Sequence, residues 1–116
     1  MKIPLTFLLL FIHTCLSAQV KIHAHNDYEK PHPLTNALAN KVYIVEADVF
    51  LRDGELLVAH SDKDISKERS LNALYLDPII ALFKKYKGQI AADEEYHPSL
   101  MIDVKDGGAE KHQSTC

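Results

Sequence analysis

Cysteine is scarce in this chain of 116 residues: Cys15 and Cys116 are the only two, and Cys116 is the last residue. Cys15 falls in an N-terminal segment that reads as removable, so no internal disulfide framework remains. Positive charge is also short, with 13 Lys and Arg against 16 Asp and Glu. Without residues 1–18 only Lys2 is lost, leaving 12 basic side chains against 16 acidic ones. That balance excludes a broad cationic footprint for nucleic acid or an anionic membrane surface, so any phosphate recognition has to be local. The apolar run at residues 7–12 falls well short of the roughly 20 residues a bilayer-spanning helix needs. Internal repeats, low-complexity tracts and interdomain linkers are likewise missing.

Residues 1–18 hold one Lys, the apolar run, and then Cys15-Leu16-Ser17-Ala18. A basic start, an apolar stretch and small residues before a polar junction read as a secretory signal cleaved after Ala18. The expectation is therefore an exported chain, secreted or periplasmic, with one domain over residues 19–116. Its elements alternate. Residues 20–24 read as a short strand, residues 34–41 as a short helix, and the β-branched and aromatic residues 43–51 as a strand. Asp53-Gly54 is a two-residue hairpin signal with residues 56–59 returning, and residues 61–70 form a charged loop. Asp77-Pro78 predicts a helix start, with Ile79, Leu82, Phe83 and Tyr86 at helical spacing and Gly88 ending it. Residues 100–105 read as a further strand, followed by Gly107-Gly108. Strands alternating with helices favour an α/β fold with a parallel sheet.

The polar residues that do not suit apolar strands all sit at strand ends. His25 follows the first strand, Glu46 and Asp48 interrupt the second, His60 closes the returning arm, and Asp103 and Lys105 interrupt the last. Strand side chains alternate faces, so Glu46 and Asp48 point one way together, as do Asp103 and Lys105. Ligands of parallel α/β folds bind at the carboxyl ends of strands, which would gather three carboxylates, two imidazoles and an ammonium in one cleft. Such carboxylates repel, and a hard divalent cation relieves the repulsion; an all-oxygen set suits Mg²⁺ or Ca²⁺. Two imidazoles beside it suit general acid–base work. Counting back from the turn pairs Arg52 with Glu55 and sets His60 opposite Ala47. Strict pairing then faces His60 away from the carboxylates, and a bulge or longer turn would restore convergence.

The ordered series Ala24-His25, Val45-Glu46-Ala47-Asp48-Val49, Asp53-Gly54, Val58-Ala59-His60 and Ile102-Asp103-Val104-Lys105 resembles the glycerophosphodiester phosphodiesterase and phosphatidylinositol phospholipase C group. The resemblance implies a TIM (β/α)8 barrel, of which this chain supplies the N-terminal portion. It implies His25 and His60 as acid and base, and Mg²⁺ or Ca²⁺ held by Glu46, Asp48 and Asp103. Lys105 and Asn26 would contact the substrate, a phosphodiester small molecule or a phospholipid head group. His25-Asn26-Asp27 stands where the glycerophosphodiester enzymes carry His-Arg-Gly. Asp103 stands where they carry Glu, a form more like the sphingomyelinase D branch.

Two other readings stand beside it. His23 and His25 also match the His-x-His of zinc- or manganese-dependent hydrolases of the amidohydrolase type. The chain also reads as a truncated barrel with at most weak phosphate or metal binding, because a TIM barrel takes about 250 residues. On that reading the strands of His25 and Asp103 are left as open edges, and the chain alone is not a competent enzyme.

Overall fold

A computed structural model describes residues 20–105; the expected leader and the Gly107-Gly108 pair lie outside the described residues. The strands are β1 (His23–Ala24), β2 (Ile44–Arg52), β3 (Glu55–Val58) and β4 (Ser99–Val104), with helices α1 (Thr35–Ala39) and α2 (Asp77–Lys85) between them. β2 pairs with the other three: parallel to β1 and β4, antiparallel to β3. One edge of β2 meets β1 at its start and β3 at its end, and the other edge meets β4 along residues 44–49. The result is a small α/β domain with a mostly parallel sheet.

β2 occupies the centre because both of its faces are covered. Val45, Ala47 and Val49 pack with Leu34, Ala37, Leu71 and Tyr75 in the apolar core. Burying each such Val contributes about 1.5–3 kcal/mol, and Ala47 between them is fully buried. A strand buried on both faces normally reads as one continuous apolar run. Glu46 and Asp48 break that run and are nevertheless buried.

The hairpin has the register counted from the sequence, Arg52 opposite Glu55 and Val49 opposite Val58. Asp53 and Gly54 both take positive φ, as a tight two-residue turn demands. The helix before β4 differs from expectation at its start. Asp77 is not an N-cap: Leu71 is already helical and residues Asn72–Leu76 form a π turn that runs straight into α2. Pro78 has no N–H to give and its ring crowds the carbonyl four residues earlier, which is where the backbone widens. After α2, Gly88 at φ +93° donates its N–H to the Phe83 carbonyl and closes the helix.

The loop after β1 is fastened from below. Buried Asp27 accepts hydrogen bonds from Tyr75 Oη at 2.8 Å and from the Leu34 N–H at 2.7 Å. Leu34 itself has φ 63° and ψ −54°, with Thr35 N–H bonded to the Pro33 carbonyl. That is the rare positive-φ γ-turn, costly for a bulky residue. It is held by the Asp27 carboxylate and by the burial of the Leu34 side chain. On the far side, Tyr96 is buried and donates to the Val42 carbonyl, fixing the approach to β4. No helix among the described residues is long and apolar enough to cross a membrane.

Candidate active site

Alternation along β2 puts Glu46 and Asp48 on the face opposite Val45 and Ala47. The parallel register with β4 sets Asp103 level with Asp48. One carboxylate oxygen from each of Glu46, Asp48 and Asp103 lies within 4.8 Å of the others. Asp48 is 1% exposed and Glu46 5%, so the first two charges are almost out of water. Lys105 Nζ donates to Asp103 Oδ2 at 2.7 Å. It also stands 3.3 Å from Asp48 Oδ1, a charge contact rather than an aligned hydrogen bond. The hydrogen bond to Asp103, and then the proximity of Asp48, hold the ammonium above the ordinary lysine range. Asp48 Oδ1 remains a buried oxygen with no hydrogen-bond partner. Such an atom costs stability unless something else satisfies it. Three convergent carboxylates with one orphaned oxygen fit a hard divalent cation by donor type and by charge.

The two histidines flank this cluster at different carboxylates. His25 Nε2 is 3.7 Å from Glu46 Oε1, and His60 Nδ1 is 3.8 Å from Asp48 Oδ2. Both rings are largely exposed, which leaves them free to meet a ligand from solvent. His60 converges without a bulge. The ladder with β2 ends at Val58; Ala59 N–H still reaches the Asp48 carbonyl, and the chain then turns away from strand geometry before His60. Leaving the pleat frees the ring from the face that strict pairing would impose. Asn26, left-handed at φ 51°, caps the turn Asp27–Glu29 and brings its Nδ2 to 3.5 Å from His60 Nδ1. Thus His25, Asn26, Glu46, Asp48, His60, Asp103 and Lys105 all come to one end of the sheet. A hollow of about 350 Å³ bounded by Tyr28, Glu29, His60, Asp64 and Arg69 opens beside them. A second, more apolar hollow of about 300 Å³ lies against Val45 and Leu100, on the opposite face of the sheet.

Tyr28 escaped the sequence reading, and His23 stood there only as half of a His-x-His pair. Tyr28 is buried, donates its hydroxyl to Asp48 Oδ2 at 2.6 Å, and lies 3.5 Å from His60 Nδ1. Burial first, then the hydrogen bond to Asp48, raises its phenol well above the ordinary range. His23 Nε2 is 2.8 Å from Glu46 Oε2, nearer than His25 comes to that carboxylate. Strand alternation set His23 on the face of His25, and that was the available signal; nothing in the sequence pattern singled out Tyr28. Asp27, the neighbour of Asn26, is occupied with Tyr75 and Leu34.

Residues 14–107 match the family model described as the AIM6-like phosphodiesterase domain. The chain belongs to that family. It is 38% identical over 72 residues to a homolog of altered inheritance of mitochondria protein 6 from Arthroderma benhamiae, covering 57% of this chain and 23% of that protein. Altered inheritance of mitochondria protein 6 of Kluyveromyces lactis is 38% identical over 88 residues, covering 73% of this chain and 20% of that protein. The protein of that name from Eremothecium gossypii is 39% identical over 67 residues, 56% of this chain and 17% of its own length. The chain therefore spans about a fifth of the length of the curated relatives it matches. No solved structure matches it. Kinship with phosphodiesterases, expected from the motif series, holds at the level of this AIM6-like family.

One expectation is corrected by the same comparison. A secreted or periplasmic protein was inferred from residues 1–18, but the matched relatives are named for the inheritance of mitochondria, a mitochondrion-related setting rather than export. An apolar N-terminal run followed by small residues reports hydrophobicity and not an address. The family match, moreover, begins at residue 14, inside the stretch read as a leader.

Proposed function

We propose that this chain carries the reacting groups of a metal-dependent phosphodiester hydrolase, akin in mechanism to the glycerophosphodiester phosphodiesterase and phospholipase C group. The observation that supports it most is Asp48 Oδ1, buried without a hydrogen bond and faced by the Lys105 ammonium at 3.3 Å, among three convergent carboxylates in a chain of a phosphodiesterase-domain family. Glu46, Asp48 and Asp103 would hold Mg²⁺ or Ca²⁺. When bound, such an ion neutralises phosphate charge and favours attack at phosphorus. His25 and His60, on either side of the cluster, divide the proton work: one takes the proton of the attacking hydroxyl or water, the other returns one to the leaving oxygen. Lys105, held charged by Asp103, supplies an ammonium for a phosphate oxygen, and the Asn26 amide orients the diester beside His60. The substrate is a glycerophosphodiester or a phospholipid head group, in a mitochondrion-related setting suggested by the names of the relatives. β1, β2 and β4 follow one another in space as they do in sequence, all parallel, which supports reading them as the N-terminal portion of a TIM barrel.

The test is a phosphodiester panel run on this chain and on the Kluyveromyces lactis relative, with Mg²⁺, with Ca²⁺ and in chelator. Turnover that needs a divalent cation is expected. Turnover undiminished in chelator refutes the metal assignment, and no turnover by either protein on any diester refutes the hydrolase reading.

A further inference from the structure

Each of the two buried carboxylates of β2 has one oxygen closely engaged and the other met only at longer range. Glu46 Oε2 lies 2.8 Å from His23 Nε2, while Oε1 is left with only the more distant His25 ring. Asp48 Oδ2 accepts from Tyr28 Oη at 2.6 Å, while Oδ1 is buried without a hydrogen bond, with the Lys105 ammonium 3.3 Å away. The two partners, the His23 ring and the Tyr28 hydroxyl, come from one short stretch, β1 and the turn that follows it. That stretch is itself anchored at independent points. Asp27 is fixed by Tyr75 and Leu34, and the Tyr28 carbonyl accepts from the Arg69 guanidinium at 2.6 Å. A carboxylate without such a partner samples several side-chain rotamers, and ordering it on binding costs free energy. Engaging one oxygen in advance fixes the aim of the other.

We propose that His23 and Tyr28 are positioning residues, which pin Glu46 Oε2 and Asp48 Oδ2 and so present Glu46 Oε1 and Asp48 Oδ1 to a shared divalent cation. The proposal rests on the metal reading of the site given above. It assigns His23 to orienting a ligand and not to being one, and it gives Tyr28 a role that burial of its ring does not require. Donors that orient metal ligands from behind typically account for about 10–100-fold in metal affinity.

The experiment is isothermal titration of the full chain with Mg²⁺ and with Ca²⁺, together with its melting temperature in chelator. His23→Ala and Tyr28→Phe should each weaken binding by about 10–100-fold. The chelator melting temperature of His23→Ala should stay near that of the wild type, because the ring is part exposed. His23→Gln, which restores an N–H donor, should recover most of the affinity; a purely structural role would not give that rescue. Wild-type chain that binds neither ion overturns the metal reading and this proposal with it. Wild-type chain that binds, with both variants binding equally well, overturns this proposal alone. If Tyr28→Phe fails to fold, His23→Ala against His23→Gln decides the matter.

Discussion

Replacing Asp48 by Asn separates a ligand from a structural acceptor. Asp48 and Glu46 are both buried, with ligand atoms within 4.8 Å; at that separation and an effective dielectric near 20 the two charges repel by about 3.5 kcal/mol. Asp103 adds to the repulsion, although its exposure screens it, and Lys105 offsets part of the total. Asn removes the charge and keeps an acceptor for Tyr28. In chelator, Asp48→Asn should therefore be at least as stable as the wild type, by an amount between zero and about 3 kcal/mol. A cation at a hundred times its dissociation constant adds about 2.7 kcal/mol to the wild type. In a domain this small that raises the melting temperature by roughly 10 °C or more, and the variant should lose most of that rise. The assay is thermal unfolding in chelator and across a Mg²⁺ or Ca²⁺ titration. A variant destabilised equally in chelator and in saturating cation would refute the reasoning and make Asp48 a structural acceptor only.

His25→Ala and His60→Ala should each lower phosphodiester turnover about a hundredfold while leaving the melting temperature nearly unchanged, since both rings are mostly exposed; full activity in His60→Ala would remove it from the proton work. Burial first, and then the hydrogen bond to Asp27, keep the Tyr75 phenol well above its ordinary range. Stability from that source is complete below about pH 10, where unfolded tyrosine begins to ionise, and is lost as pH rises toward the folded value. Urea titrations from pH 8 to 11 should show that decline, and Tyr75→Phe should make it shallower, the Tyr28 phenol carrying part of what remains. Met101, Ile102 and Val104 are exposed along β4, whose outer edge has no partner among the described residues. Sedimentation velocity should show concentration-dependent association, reduced by Val104→Lys; a wild-type chain monomeric at all concentrations would count against it.

Periodicity made the centre of the fold legible. β2 and the hairpin register are set by alternation and by Asp53-Gly54, local features that tertiary contacts did not need to correct. Asp103 could be matched to Asp48 because a parallel neighbour in register brings equivalent positions level. Less local features were hidden. The π turn ahead of α2 depends on how Pro78 fits against a turn already formed, and a sequence window that starts a helix at Asp-Pro cannot register it. His60 reaches the site because the strand stops at Val58, a termination that residue counting does not encode. Tyr28 looked like one more aromatic in a loop, since its partner lies 20 residues away on another strand.

The strand that holds two of the three carboxylates is also the strand on which every other strand of the described sheet depends. In amide hydrogen exchange its N–H groups should therefore open only with the whole domain, not by local fraying. A ligand gripped there slows exchange throughout the molecule, because no partial opening releases it. For this chain, binding at the carboxylates and global unfolding are two readouts of a single cooperative unit. A substitution anywhere that loosens β2 will register as weakened binding before any loss of secondary structure can be seen.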